Sequence, residues 1–554
     1  MRSTMRSWPL TVSSILRHAA SVNGDRVIVT RTGEGVRTRT FAETAARAAR
    51  LAHGLRALGV AGDERVATFQ WNNAEHVEAY VGVPSMGAVL HTLNVRLPPE
   101  QIEFIVAHAR DRVVIADAAL AGSLAPMLPR MGTVEHVVVV GEAGPPALEA
   151  LAASGKAVHD YEELLAAAPP PGDWPEVDED TGAMMCYTSG TTGDPRGVVY
   201  SHRSIYLQGM AVTTAGGMGI GPSDRVLAVV PMFHANAWGM IHAALMAGAD
   251  LVMPDRHLQA PVLAALIADE RVSVTAGVPT VWADLLRYAD EGGEVRLDGI
   301  RAIFSGGSAV PETLMRRYHD EYGVDLIQAF GMTETSPVVA VAHPPRDREP
   351  GSPGYWDYRG RAGRILAGVE ARITAADGTV LPPGSAVAGE IEFRGPWVTG
   401  AYHGAAGTDR FNQGWLRSGD VGAISSDGYL AVSDRTKDVI KSGGEWISSV
   451  ALENVLLTCG EVAEAAVVAI PDPLWGERPL ACVVLRDGAR AAAADLHGRL
   501  ADRLPRWQVP EYWTFVESLP RTSVGKYDKK RLRLARERGE LLIVELPGPQ
   551  RRSG

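Results

Sequence analysis

Cysteine is scarce in this 554-residue chain: Cys186, Cys459 and Cys482 are the full set. An odd number without metal-like spacing argues against a disulfide framework and a structural zinc site, and it fits a reducing compartment. A surplus of positive charge is also missing. The formal net charge is −11, which excludes a nucleic-acid-binding body as the leading reading. Long apolar runs are absent as well. A bilayer span needs about 20 mostly apolar residues, and the most apolar region, residues 226–253, is broken by Pro231, His234, Asn236, His242 and Asp250. That region reads as buried core or tunnel wall. The N-terminus has two early arginines but neither a sustained apolar core nor a small-residue cleavage site, so no signal peptide is expected. A cytoplasmic protein without stable membrane insertion is the expectation. No repeat of solenoid period is visible.

What remains is the composition of a soluble globular protein, with 46% hydrophobic and 21% charged residues. The chain is too long for one compact core, so several domains are expected. Thr40 and Glu43 form a capping box ahead of a helix carrying Leu51, Leu55 and Leu58, which stops at Gly59. Strand patterns at 65–69, 88–91, 112–116 and 136–140 alternate with helical ones, the signature of an α/β fold with helix-covered, mostly parallel sheets. The core resumes at 225–230, 272–276 and 302–304. Between 363 and 393, short strands separated by Asp377-Gly378 and Pro382-Pro383-Gly384 predict a small β-rich subdomain. After Lys437 the pattern resets to a small α+β unit, which divides the chain into residues 1–436 and a mobile domain, 437–554.

Residues 185–204 read MCYTSGTTGDPRGVVYSHRS. Glycines let backbone N–H groups converge, hydroxyls add donors and Arg196 adds a cation, so Thr188, Ser189, Gly190, Thr191, Thr192 and Gly193 suit a polyphosphate. No Gly-Lys-Ser/Thr closes the segment, so it is not a Walker A loop. At 328–337, QAFGMTETSP sets Phe330 where it can lie on an adenine ring, Thr333 near phosphate, and Glu334 as a hard ligand for Mg²⁺. WLRSGD at 415–420 and DRTKDVIKSGGEWISS at 434–449 offer Asp420 for ribose hydroxyls, with Arg435 beside it. Taken singly, each stretch also fits a surface turn.

Taken together, TSGTTGDPRG, FGMTE, SGD, DRTKD and the glycine-framed lysine of PRTSVGK at 520–526 resemble, in order, the motifs of the adenylate-forming superfamily of acyl-CoA synthetases, adenylation domains and luciferases. PMFHANAW, KSGGEWISS and IPDPLWGERPLA look most like the medium- and long-chain fatty-acyl-CoA synthetases within it. The resemblance implies a carboxylic acid, ATP, Mg²⁺ and CoA as partners, with an acyl-AMP formed first and a thioester second. By position it implies Thr188 and Glu334 at the metal, and Gly307, Ser308, Gln328, Ala329, Phe330, Gly331 and Thr333 along the nucleotide wall. Asp420 and Arg435 would hold the ribose, Lys526 would bridge the α-phosphate and the acyl oxygen, and Lys437 would be the hinge. Lys441 and Trp446 match nucleotide-contacting positions, Gly443 and Gly444 leave room for pantetheine, and Trp238 matches a gate to the acyl tunnel, with His234 lining the cavity. Homodimerisation through the N-terminal domain follows by the same analogy.

Two departures bear on the acid. Arg196 replaces the family's usual lysine, which keeps charge but changes donor geometry. Ala329 and Phe330 stand in place of glycine and tyrosine, and with Val310 are expected to narrow the acyl passage, favouring a medium-chain or aryl-substituted acid. The alternative keeps adenylation but passes the activated group to a carrier protein, an amine, or nitrite bound for diazotisation.

Overall fold

In the computed structural model, the described residues are 1–169, 172–188, 195–405, 408–435, 437–442, 445–522 and 525–546. The alternating β-branched runs build a seven-stranded sheet whose spatial order is 157–160, 136–140, 111–117, 65–69, 89–92, 182–187 and 197–201. All neighbours are parallel except the last pair. A second, fifteen-stranded sheet starts at the antiparallel edge strand Val36–Thr40 and continues parallel, with Val27–Arg31, Asp250–Met253, Arg225–Leu227, Val274–Gly277, Ala302–Gly306 and Leu326–Gly331 side by side. It turns antiparallel at Val338–Val341 and runs on through the strands between 363 and 435. The β-rich stretch expected there is thus hydrogen-bonded edge to edge onto the parallel strands.

The helix Ala74–Ser85 is buried over its whole length between the sheets. Two carboxylates on it would be costly if unpaired. Arg39 Nη1 lies 2.6 Å from Glu78 and 2.9 Å from Glu75, Arg47 Nε lies 2.7 Å from Glu78, and the Tyr161 hydroxyl donates to Glu78 at 2.6 Å. Thr40 caps the neighbouring helix Phe41–Ala57 in the reciprocal box with Glu43. A single core cluster holds Val66, Leu90 and Val113 of the first sheet together with Val226, Leu251 and Phe304 of the second. That shared core fixes the strand ends of the two sheets relative to each other. No helix among the described residues is long and apolar enough to cross a membrane.

Beyond 437 a six-stranded sheet is organised on the long hairpin Val462–Asp472 and Gly476–Leu485, with Tyr512–Phe515 parallel to the second strand. Side-chain alternation divides its packing. Ala465 and Val467 join Leu452, Leu496 and Trp513 on one face, while Ala466 and Val468 join Leu519 and Leu532 on the other. The sequence pattern missed the short hairpin Ile440–Ser442 and Glu445–Ile447, and also the helix Lys529–Glu537. That helix reads KKRLRLARE and buries only Leu532, so no apolar stripe announces it.

Candidate active site

A cavity of about 590 Å³ opens at the carboxyl ends of parallel strands from both sheets, the end where α/β sheets offer loops to ligands. Thr188 follows the strand Gly182–Tyr187, His234 lies beyond Arg225–Leu227, Gly307 follows Ala302–Gly306, and Ala329, Phe330 and Gly331 close Leu326–Gly331. Thr333 and Glu334 come next, in a short 3-10 turn. Arg435 enters from the antiparallel strands, and Lys437 and Lys526 from the C-terminal unit. Ser189, Gly190, Thr191, Thr192, Gly193, Gly443 and Gly444 lie outside the described residues, as does the side chain of Trp446.

The polar groups here are held by neighbours. Glu334 is buried and its Oε1 accepts the Tyr402 hydroxyl at 2.7 Å. Asp420 is buried behind the wall that Ser418, Gly419 and Arg435 form, and faces Arg435 across adjacent strands, with Arg435 Nε 3.2 Å from Asp420 Oδ1. Burial raises the Asp420 carboxyl pKa while Arg435 and Lys526 oppose the rise. The Thr188 N–H donates to the Arg196 carbonyl at 2.9 Å, and Thr188 Oγ1 accepts the Arg196 N–H at 3.2 Å. The Arg196 guanidinium lies over the Tyr402 ring, 5.3 Å from its centroid. A planar cation stacks there in a way an ammonium does not, which accounts for arginine at this place.

Lys526 crosses the cavity to Gly307. A Cβ at Gly307, whose φ is +82°, would come within 3.1 Å of Lys526 Cε, so both the backbone and the neighbour require glycine. Burial, then Arg435, push the Lys526 pKa down to about 8, with Asp420 and Glu334 resisting. His234 is pushed down to about 3 by burial, Lys526 and Arg96; it is neutral at ordinary pH.

Trp238 both lines the cavity and belongs to the core. It sits in a left-handed turn in which Ala235, Asn236, Ala237 and Trp238 have φ of 43°, 51°, 51° and 56°, followed by Gly239 at 77°. Left-handed backbone costs a non-glycine residue about 1–2 kcal/mol, so four in succession need support. Asn236 Oδ1 takes the Cys186 thiol at 3.1 Å, and Gln208 Nε2 donates to the Trp238 carbonyl at 3.3 Å.

Some expected residues are placed elsewhere. Val310 is buried among Leu314, Met315 and Tyr318, away from the cavity wall, and so does not narrow the passage. Gln328 is the cause: its Oε1 accepts the Val310 N–H at 2.7 Å and its Nε2 donates to the Arg361 carbonyl at 2.9 Å, so it braces the wall from behind. Ser308 is exposed outside the cavity. Lys441 is exposed too, and its backbone N–H donates to Glu477. Conversely, the motifs missed Tyr402, Arg410, His108 and His403, all of which line the cavity. Arg410 donates to the Ser418 carbonyl at 2.8 Å, and His108 Nδ1 meets the Tyr187 hydroxyl at 2.7 Å. One signal was available for the cations. The chain has six lysines against forty-eight arginines, and five of the six are at 437, 441, 526, 529 and 530.

The donor set suits Mg²⁺. Glu334 and Thr188 provide oxygen ligands, and no group of three His, Cys, Asp or Glu side chains among the described residues would hold an ion alone. An ion shared with phosphate oxygens needs only these.

A cavity at the strand ends of two sheets, with Glu334, Arg435 and Lys526 on its wall, is the architecture of an adenylate-forming enzyme. The same fold is found in an anthranilate CoA ligase solved with anthranoyl-AMP, at a TM-score of 0.85 and 24% identity, covering 97% of this chain and 100% of that one. This chain belongs to the AMP-binding enzyme family, whose main domain matches residues 16–403 and whose C-terminal domain matches 451–526. Among its relatives, a 3-methylmercaptopropionyl-CoA ligase of Ruegeria pomeroyi is 40% identical over 96% of this chain and 98% of its own length. A long-chain-fatty-acid–CoA ligase of Thermus thermophilus is 42% identical over 96% of both chains. A medium-chain-fatty-acid–CoA ligase of Ectopseudomonas oleovorans is 38% identical over 96% of this chain and 97% of its own.

Proposed function

We propose that the protein is an ATP-dependent acid:CoA ligase acting in two half-reactions in one cavity, with residues 1–436 as a fixed body and 437–554 as the moving unit. The observation that carries the reading is the convergence of Thr188, Glu334 and Arg435 from the body with Lys526 from the C-terminal unit on a single cavity.

In the first half-reaction a carboxylate oxygen of the acid bonds to the α-phosphorus of ATP, and the bond to the bridging oxygen of pyrophosphate breaks. Two anions must meet, so positive charge is needed where they do. Lys526 enters beside Gly307 to hold the α-phosphate and acyl oxygens together. Glu334 and Thr188 would hold Mg²⁺ with the phosphates, which supplies charge neutralisation when bound. Asp420, oriented by Arg435, accepts the ribose hydroxyls, and Phe330 and Thr333 line the base and phosphate. In the second half-reaction the CoA thiolate bonds to the acyl carbon, the carbon–oxygen bond to AMP breaks, and the thiol proton passes to solvent. Rotation about Lys437 would withdraw Lys526 and bring up the segment of Lys441, Gly443, Gly444 and Trp446.

For the acid, the reading is a medium-chain or compact aryl-substituted carboxylate. The nucleotide and the acyl group share about 590 Å³, a volume of the order of one small-molecule site. Trp238, Phe233 and Ala329 line the side of the cavity read here as the acyl end. Relatives named for 3-methylmercaptopropionyl and medium-chain fatty acyl groups support this size, whereas the 42% identical relative is named for long-chain fatty acids. The test is a panel of thioether, straight-chain and aryl acids incubated with ATP, with and without CoA, and read by mass spectrometry. Thioesters of medium-chain or aryl acids are expected. AMP without thioester for every acid would rule out CoA as acceptor, and a preference for acids of sixteen carbons or more would rule out the size argument.

A further inference from the structure

Three residues beyond Lys526 the chain makes a second buried lysine contact that the two-step chemistry does not use. Lys529 opens the helix Lys529–Glu537, and its Nζ lies 2.7 Å from Glu453 Oε1 and donates to Ser449 Oγ at 2.6 Å. Ser449 Oγ in turn donates to Asp434 Oδ2 at 2.6 Å, and the Ser449 N–H reaches the same oxygen at 2.5 Å. Lys529 and Glu453 each expose only 13% of their side chains, and Asp434 is buried.

These residues come from opposite sides of the hinge. Asp434 is on the strand Tyr429–Arg435, where it pairs with Val421 in the fifteen-stranded sheet. Ser449 is the first residue of the helix Ser449–Leu456, and Glu453 lies one turn further on; both are in the C-terminal unit, as is Lys529. Asp434 therefore accepts the free N–H at the start of a helix from the other unit, the end a carboxylate prefers. Arg533, one turn after Lys529 on its helix, holds the start of its own unit through Asp438 and the Lys437 carbonyl. The next residue on the strand, Arg435, faces Asp420 across the cavity side. Successive strand residues point to opposite faces, so one strand end carries the ribose group on one face and the docked unit on the other.

Building on the two-step reading above, we propose that Asp434, Ser449, Glu453 and Lys529 form a clasp across the hinge that positions Lys526 for acyl-AMP formation and must open before thioester formation. Lys529 holds the loop from its far side. Glu453 keeps that ammonium charged and in place, and Ser449 relays the hold to Asp434 in the body. All four are positioning residues; none touches the cavity. The bonds from Ser449 to Asp434 join the two units, beside the Ser448 hydroxyl that donates to the Ser433 carbonyl. Opening it breaks the bonds to Asp434 and leaves the Lys529–Glu453 pair intact inside the moving unit.

The test separates the half-reactions in full-length Asp434→Ala and, as a milder cut, Ser449→Ala. Acid-dependent ATP–pyrophosphate exchange reports the first step, and thioester formation from supplied acyl-AMP and CoA reports the second. Loss of hydrogen bonds to a charged group predicts that exchange falls about tenfold or more in Asp434→Ala and about threefold in Ser449→Ala, with thioester formation from acyl-AMP kept within about threefold. A parallel fall of both half-reactions, or exchange unchanged in both variants, overturns the clasp. Lys526→Ala is measured alongside. If it too fails to split the half-reactions, the two-step reading itself fails; if it splits them while Asp434→Ala does not, only the clasp fails.

Discussion

The body and the C-terminal unit hold the charges they bring to the same cavity in different ways. In the body, Glu334 is tied to Tyr402, Asp420 to Arg435, and Trp238 is fixed in a braced turn, all backed by a core shared between two sheets. Lys526 arrives on a loop of a unit that keeps its own two cores, and near its base the Gly525 carbonyl takes only a long 3.5 Å hydrogen bond from Thr280. The body is preorganised, so its groups cost no rearrangement at the moment of reaction. On the proposed two-step reading, the cation is the part that is withdrawn, and the contrast would let one cavity serve two half-reactions in succession.

The sharpest break in that contrast is Lys526→Ala. It should slow ATP–pyrophosphate exchange by about 10³-fold, as for removal of a preorganised transition-state donor, while thioester formation from supplied acyl-AMP survives. Equal loss in both assays would place Lys526 with the fixed groups instead. Glu334→Gln should slow exchange by about 10²-fold and raise the Mg²⁺ concentration needed for half-maximal rate. An unchanged Mg²⁺ dependence would remove Glu334 from the metal.

Titration sharpens the comparison further. With its pKa lowered to about 8, Lys526 carries its charge below that pH and loses it above. The kcat/KM of exchange should therefore fall about tenfold per pH unit beyond the limb, and Glu334→Gln should move the limb to lower pH, because Glu334 holds the ammonium on. Thioester formation from acyl-AMP should show no such limb. The smallest effect belongs to Trp238→Ala. A few methylenes of pocket shape are worth about 1–3 kcal/mol, so preference between a six-carbon and a twelve-carbon acid should shift by about tenfold toward the longer. Unchanged selectivity would return Trp238 to a purely packing role.

Much of this was legible in the chain itself. The Thr40–Glu43 box, the alternating strands and the order of glycine-rich motifs all depend on neighbours in sequence, and local rules reach them. What was not legible depends on neighbours in space. The strand expected over 225–230 stops at Leu227 because the Asn72 side chain takes the Ala228 and Val230 carbonyls that a strand partner would have used. Val310 sits beside GGSA in sequence, but Gln328 holds its backbone and its side chain packs into the core. Tyr402 stands alone in GAYHG and takes its place in the cavity through Glu334, sixty-eight residues away, and Arg196. The helix Lys529–Glu537 has no apolar periodicity; its place follows from Lys529 and Arg533 gripping the hinge.

If Trp238 bounds the acyl end as proposed, the left-handed turn that carries it ties acyl-length selection to the backbone. The indole is buried, and the Trp238 carbonyl is fastened by Gln208 from a helix behind. A Cβ on Gly239 would run into that same amide. On that reading, retuning the enzyme for bulkier acids is a task for the buried Gln208 and Asn236 as much as for the tryptophan itself: loosen the bolts and the bulkhead shifts.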